Sequence, residues 1–376
     1  MSTMSSVLPP SIVFSQSTVY ASQGSVYALE ASSGTLRQRY PINGLAYPTI
    51  VNDVLYLNVS RHPDSLIQAL AGYDGTALWS YRVEGRLSGA PVIVDGVVYA
   101  SIVEGTIYAL QADDGTLIWR STIDLGPDVP SFVGPIVFAS PTVVEKAVYL
   151  APAVNAPLKP FVYALQAEDG MLLWKAPLDS STTFPLIIVD GVIYLSTHSN
   201  CLALRAGDGS SLWQYETSGF IRSSPVVVDG VICISLSTFK HAFSESGQIS
   251  QWYEAFICTL QASDGSLLWQ QQLGITTGAS HPTAPVAAHG TIFLGADDGY
   301  LYALRRGDGT LLWSYKTNAT LLSSPMVAQG VIYVGGNDGC VYALHAANGM
   351  LLWKTFVSGS VTISVSDKVL HKEGEE

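Results

Sequence analysis

The chain has 376 residues, 48% of them hydrophobic and only 13% charged, and 18 Lys and Arg against 30 Asp and Glu leave a net charge of −12. So much apolar material feeds a large core and excludes intrinsic disorder, while no uninterrupted apolar run is long enough to span a bilayer as a helix. The negative charge, with no basic cluster against it, excludes nucleic acid as a partner, and four scattered cysteines without a CxxC form neither a disulfide scaffold nor a metal clip.

Met1 to Pro10 lacks the basic start and apolar stretch of a signal peptide. The expected location is therefore cytoplasmic, or extracytoplasmic if the chain is trimmed from a longer precursor. Ser11 to Phe14 reads as a first strand, and a repeated phrase follows. Its first copy has a turn glycine at Gly34 and Gln38 where later copies carry Trp. The next copies pair Gly75 with Trp79 and Gly115 with Trp119, the latter in Tyr108-Ala-Leu-Gln-Ala-Asp-Asp-Gly-Thr-Leu-Ile-Trp119. Five more follow at Gly170/Trp174, Gly209/Trp213, Gly265/Trp269, Gly309/Trp313 and Gly349/Trp353. The glycine spacings are 41, 40, 55, 39, 56, 44 and 40, so the unit is about 40 residues, which signals stacked supersecondary units.

Within the third unit, β-branched and aromatic runs at 91–94, 97–101, 106–112 and 116–121 are divided by Asp95-Gly96 and Asp114-Gly115, the hairpin signal in which Gly accepts positive φ. Four antiparallel strands, A to D, repeated eight times predict an all-β fold: a single eight-bladed β-propeller of four-stranded antiparallel blades. Blades are expected at 10–40, 41–82, 83–122, 123–178, 179–217, 218–273, 274–317 and 318–357. A closing segment at 358–370 completes one domain over 1–370, and 371–376 is a solvated tail. Val361 to Val365 resembles an incoming A strand that could dock beside Ser11 to Phe14, so the ring should close near the termini.

The phrase Ala-Leu-x-Ala-x-Asp-Gly-x-Leu-x-Trp resembles the tryptophan-docking repeat of the pyrroloquinoline quinone (PQQ)-type propellers, over about residues 10 to 357. That family includes the quinoprotein alcohol dehydrogenases and the propeller lipoprotein of the outer-membrane assembly machinery. The resemblance implies that Trp79, Trp119, Trp174, Trp213, Trp269, Trp313 and Trp353 stack on the alanine and turn glycine of adjacent blades, at Ala28, Ala69, Ala109, Ala164, Ala203, Ala303 and Ala343. Thr259 stands at the alanine position of copy six and Gln38 at the tryptophan position of copy one, so those two seams should pack differently. The resemblance also brings PQQ and calcium into view. The dehydrogenases carry an adjacent cysteine pair and a calcium held by acidic residues and an Asn; this chain has no adjacent cysteines, and no cofactor is expected.

Loops in such blades alternate between two faces. The A–B and C–D turns are nearly all minimal, whereas the long excursions at 58–66, 121–136, 151–161, 237–253 and 274–284 are all B–C or D–A connections on the other face. Insertions in repeat proteins collect on the binding face, so the candidate binding residues are Arg61, His62, His198, Arg222, Lys240, His241, Trp252, Tyr253, Glu254 and His281. None has the HxH or HExxH spacing of a metal site, and none is expected. Trp252, the one Trp outside the repeat, reads with Tyr253, Phe239 and Phe243 as an anchor for a partner or as a cap over the channel. The 237–253 loop is expected to serve function rather than fold. Nucleophile-elbow, phosphate-loop and dinucleotide motifs are missing. The primary reading is a monomeric, non-catalytic scaffold that binds a protein, peptide or glycan on the loop-rich face. The alternatives are a cofactor- or metal-assisted enzyme with its site at the channel mouth on the same face, and a sensor module whose catalytic partner is another chain. Finally, Cys233 and Cys258 are expected to face each other across strands B and C of the sixth blade, as Tyr99 and Tyr108 would in the third, and to be able to bridge if oxidised.

Overall fold

The computed structural model describes residues 12–357 apart from 16, 23–24, 43, 61–63, 104, 124–136, 154–159, 183, 244–248, 277–281, 319 and 322. All regular structure in it is β, arranged as eight blades of antiparallel strands whose order follows the chain. Blade 3 shows the pattern with strands A to D at Leu87–Val94, Val97–Ile102, Thr106–Gln111 and Leu117–Thr122. Its A–B turn holds positive φ at both centres, 49° at Asp95 and 76° at Gly96, matching the twist of the flanking strands. His289 and Gln329 take the same left-handed conformation ahead of Gly290 and Gly330, so the turn geometry outlasts the Asp-Gly signature.

Each C–D pair carries a one-residue bulge beside the tryptophan, or beside Gln38 in blade 1. In blade 3, Ala109 pairs with Trp119 but Leu110 pairs with Leu117, which leaves Ile118 as the extra residue. The bulge turns the aliphatic residue before the Trp outward: Ile118, Leu173, Leu212, Leu268, Leu312 and Leu352 are all exposed. The tryptophan points inward, to the next blade. Trp79 packs on the turn glycine Gly115, where an added Cβ would sit 2.6 Å from its ring, and its Nε1 donates to the Ala112 carbonyl at 2.8 Å. The step repeats from Trp119 to Gly170 and Ala167, Trp174 to Gly209 and Ala206, Trp213 to Gly265 and Ala262, Trp269 to Gly309 and Arg306, and Trp313 to Gly349 and Ala346. The same carbonyls also accept from the strand-B tyrosines of the donor blades, Tyr56, Tyr99, Tyr149 and Tyr194.

The alanine implied by the resemblance has a different place from the one expected. Ala69, Ala109 and their equivalents lie directly across strands C and D from the tryptophan of their own blade, and the neighbour contributes its turn glycine and a carbonyl three residues before it. At blade 1 the ring of Tyr40, two residues beyond Gln38, fills the missing tryptophan's place. It lies against Gly75, and its hydroxyl donates to the Gly72 carbonyl.

The ring closes between blades 8 and 1. Trp353 Nε1 and Tyr333 Oη donate to the Ala31 carbonyl at 2.8 and 3.4 Å, Thr355 Oγ1 donates to the Gly34 carbonyl at 2.8 Å, and Val19, Ala21, Leu29, Val341 and Ala343 form the buried core beneath. Ile12–Ser15 is the inner strand of blade 1. Val361 to Val365 lies outside the described residues.

Three further expectations are corrected. The register pairs Tyr99 with Ala109 and Ala100 with Tyr108, and likewise Cys233 with Thr259 and Ile234 with Cys258. A one-residue slip reverses every side chain, so Cys233 and Cys258 point to opposite faces: Cys258 packs with Cys201 of blade 5, Cys233 with Ile292 and Leu294 of blade 7. All four cysteines are buried free thiols. The excursion read at 58–66 is mostly strand, since Val54–Ser60 and Asp64–Ala71 pair up to Val59 and Leu66. The third correction, over 237–253, concerns the candidate site.

Candidate functional site

Strands B and C of blade 6 are each thirteen residues long, Val231–Phe243 and Ile249–Gln261, and they pair without interruption from Val231–Gln261 to Phe243–Ile249. In blades 5 and 8 the B strand stops at Ser196 and Gly335, positions equivalent to Ser235. The eight further residues at about 3.3 Å each carry the hairpin roughly 25 Å beyond its neighbours. What reads as a loop from its polar content is therefore a ribbon. Polar residues fall on both of its faces, Thr238 and Lys240 on one and His241 on the other, as suits a ribbon wet on both sides. Strand D, Leu267–Thr276, climbs its lower part, pairing Thr276 with Tyr253.

Alternation divides the side chains of the ribbon. On one face Phe239 sits across from Tyr253 with ring centroids 5.3 Å apart, and the His241 ring is 6.2 Å from Phe239. On the other, Lys240 pairs in register with Trp252 and approaches Glu254 at 3.8 Å, while Thr238 Oγ1 lies 3.5 Å from the same carboxylate. Phe239 is 43% exposed, and Trp252, Tyr253 and Glu254 are half-buried. The result is an aromatic face and a charged face on one projecting element.

At its foot, the entry to blade 6 adds a second group. Phe220 and Ile221 pair with Ser237 and Leu236 as a short inner strand, held to blade 5 by the Ile221 amide donating to the His198 carbonyl at 2.9 Å. The His198 ring lies 4.4 Å from that of Phe220, and the Arg222 guanidinium sits 5.3 Å from the same ring. Arg222 Nε donates to Ser237 Oγ at 2.6 Å. Thus five of the sequence-derived residues, Lys240, His241, Trp252, Tyr253 and Glu254, lie in the ribbon, and His198 and Arg222 lie beneath it. Arg61, His62 and His281 lie outside the described residues. Phe220 and Ser237, the residues that join His198, Arg222 and the ribbon, were missed; the signal was Phe220 two positions before Arg222, the spacing that puts both on one side of an extended chain.

A further pair of clusters on this face escaped notice. In blade 8, Asp338 at the B–C turn accepts from Tyr342 Oη at 2.7 Å and from Lys354 Nζ at 2.9 Å, and Lys354 lies 4.7 Å from the Tyr342 ring. Hydrogen bonds to Tyr342 and Asp338 push the Lys354 ammonium pKa up. Blade 7 repeats the Asp–Tyr bond between Asp298 and Tyr302. These clusters are internally paired, with the Asp at the turn receiving strands C and D, and they stiffen the rim.

The opposite face has a cleft of about 540 Å³ between blades 3 and 4, lined by Asp95, Tyr99, Glu145, Lys146 and Glu168 among others. Among the described residues no three His, Cys, Asp or Glu converge as metal ligands, and no helix is long and apolar enough to cross a membrane.

The family model described as outer membrane protein assembly factor BamB matches residues 3–151, 103–248 and 254–373, overlapping as expected of a repeat. The outer membrane protein assembly factor BamB of Yersinia pestis is 26% identical over 257 residues, 65% of this chain and 58% of the relative. The chain spans less than two thirds of the length of the curated relatives of that name. Among solved structures, BamB from Moraxella catarrhalis has a TM-score of 0.65 at 16% identity, covering 88% of this chain and 95% of the other. A europium-containing methanol dehydrogenase has a TM-score of 0.65 at 14% identity, covering 89% and 81%. At such identities the structures share the fold alone, and the fold serves an assembly factor and an oxidoreductase alike.

Proposed function

The chain belongs to the PQQ-type propeller family described as outer membrane protein assembly factor BamB, and from that premise we propose that it is a non-catalytic scaffold that binds protein on the face bearing the blade-6 ribbon. The observation that carries this reading is the ribbon itself. It continues two strands well past the sheet that the blade needs, and the thermodynamic cost of a longer surface connection grows only slowly. Its exposed Phe239, half-buried Trp252 and Tyr253, and the Lys240–Glu254 pair combine aromatic anchors with both charge signs, the composition of an interface core and its rim. Protein is favoured over peptide or glycan because the relatives are named for assembly of proteins. On the same ground the extracytoplasmic location replaces the cytoplasmic one. The reading takes the chain as a monomer and calls on no quinone, calcium or other metal.

The test removes residues 238–254 and joins the strands with Gly-Asn-Asp-Gly. The melting temperature is expected to stay within a few degrees of the parent, since the blade below retains its four strands. The full chain should co-purify with outer-membrane assembly proteins of its own organism, and the shortened chain should not. Undiminished co-purification would move the site off the ribbon; failure of the full chain to co-purify at all would remove the scaffold reading.

A further inference from the structure

Two arginines are half-buried among the described residues, Arg306 and Arg222. Arg306 has a counter-ion, with Nη2 2.6 Å from Asp229 Oδ2. Arg222 has none: among the described residues no carboxylate stands within ion-pair distance. Its Nε is occupied by Ser237 Oγ, and its two terminal nitrogens, the fork that would hold a carboxylate, have no partner there. Burial lowers its pKa, as for a cation that the protein withdraws from water with no carboxylate among the described residues to offset it. In a chain of net charge −12, a half-buried cation lacking an internal acid is the exception.

The surroundings say what would complete it. The guanidinium is braced by the Phe220 ring, with His198 on that ring's other flank, and Tyr253 lies close enough to affect its charge. Above it the inner edge of strand B of blade 6 pairs with Phe220 and Ile221 only as far as Ser237, so residues 238–243 have strand C alone as a neighbour among the described residues. An extended chain laid along that edge would find main-chain donors and acceptors. It would also run beside the aromatic pair Phe239 and Tyr253. A multiply charged phosphate ligand is disfavoured by the protein's own negative field.

We propose that Arg222, braced by Phe220 and Ser237 at the foot of the blade-6 ribbon, is the receptor for a carboxylate carried by a bound extended polypeptide. This rests on the scaffold reading and specifies the chemistry of what it binds. The carboxylate could belong to an acidic side chain or to a free C-terminus, and the experiment separates the two.

Four fluorescent twelve-residue peptides of Ser, Thr and Val are compared by fluorescence polarisation on the full chain: central Glu with amidated C-terminus, central Gln with amidated C-terminus, central Gln with free C-terminus, and central Lys with amidated C-terminus. The Glu peptide, the free-carboxylate peptide or both should bind at least tenfold tighter than the neutral one, and which of them does so identifies the source. Arg222→Gln should erase that difference while the melting temperature stays within a few degrees, and Arg222→Glu should transfer the preference to the Lys peptide. Equal binding of charged and neutral peptides, or a preference that survives Arg222→Gln, overturns the assignment. The ribbon deletion reports on the scaffold reading separately, so failure of the Arg222 assignment is distinguishable from failure of that reading.

Discussion

At blade 6 two residues of the docking system change together. Strand B carries Tyr99 or Tyr333 in blades 3 and 8, facing Ala109 or Ala343 on strand C, but in blade 6 Cys233 faces Thr259. The large-plus-small pair becomes small-plus-medium, and the Arg306 carbonyl keeps Trp269 as a donor while the tyrosine donor is gone. Cys233→Tyr alone should therefore overpack against Thr259 and cost about 1–3 kcal/mol, whereas adding Thr259→Ala should recover most of the loss. Denaturant midpoints of the four chains measure the coupling, and additive effects would contradict the compensation. Thr259 was legible as a departure from the repeat and Cys233 was noticed, but their partnership was not, because a hairpin read from its turn alone leaves the register open by one residue. The thiols make a second prediction. Burial pushes Cys201, Cys233 and Cys258 from 9.0 up to about 12, so their native-state ionisation is suppressed. An acid group whose pKa is raised by folding stabilises fully below its unfolded value and progressively less above it. Stability should hold to about pH 9 and fall between there and pH 12, with buried tyrosines such as Tyr40, also pushed up to about 12, acting in the same direction. Urea midpoints at pH 8 and pH 10.5 read the slope, and a thiol reagent at pH 8 should find no reactive cysteine until the protein unfolds.

Strands and turns divide differently between what the chain announces and what it hides. The Asp-Gly pairs and the Tyr-to-Trp phrase specify blade number and strand order because each is a local rule: a left-handed turn wants Gly, and a strand half-buried between blades wants β-branched and aromatic residues. The C–D bulge is invisible in the residue alternation yet decides exposure. Met171, Leu172 and Leu173 look like core and are 65, 53 and 51% exposed. The ribbon is the converse case. Thr238, Lys240 and His241 look like loop residues because no layer covers them, but their strand pairing needs only backbone groups, and polar side chains on both faces suit an uncovered ribbon. Tyr40 shows the same limit at a seam. The missing Trp at Gln38 was evident, but its replacement comes from two residues further along the strand, a distance that only the packed neighbour Gly75 reveals.

The whole molecule is a relay with a direction. Every blade extends an aromatic side chain forward and offers a turn glycine and a carbonyl backward, from Tyr40 onto Gly75 round to Trp353 onto Gly34. Among the described residues no strand is exchanged across the last seam, where blade 8 has its four strands over Met326–Phe356 and blade 1 over Ile12–Pro41. In symmetry terms each seam is a heterologous contact, and heterologous contacts either close or polymerise. Cutting the chain after blade 4 leaves a half-ring with an unsatisfied Trp174 at one end and a vacant Gly34 turn at the other. Two copies of such a half, residues 1–180, can satisfy each other by head-to-tail docking, and the curvature that brings eight blades to closure then brings two fours. The half-ring should run as a dimer by light scattering, with Trp174→Ala reducing it to a monomer; an open polymer would mean that the curvature is set by the intact ring instead of by each seam.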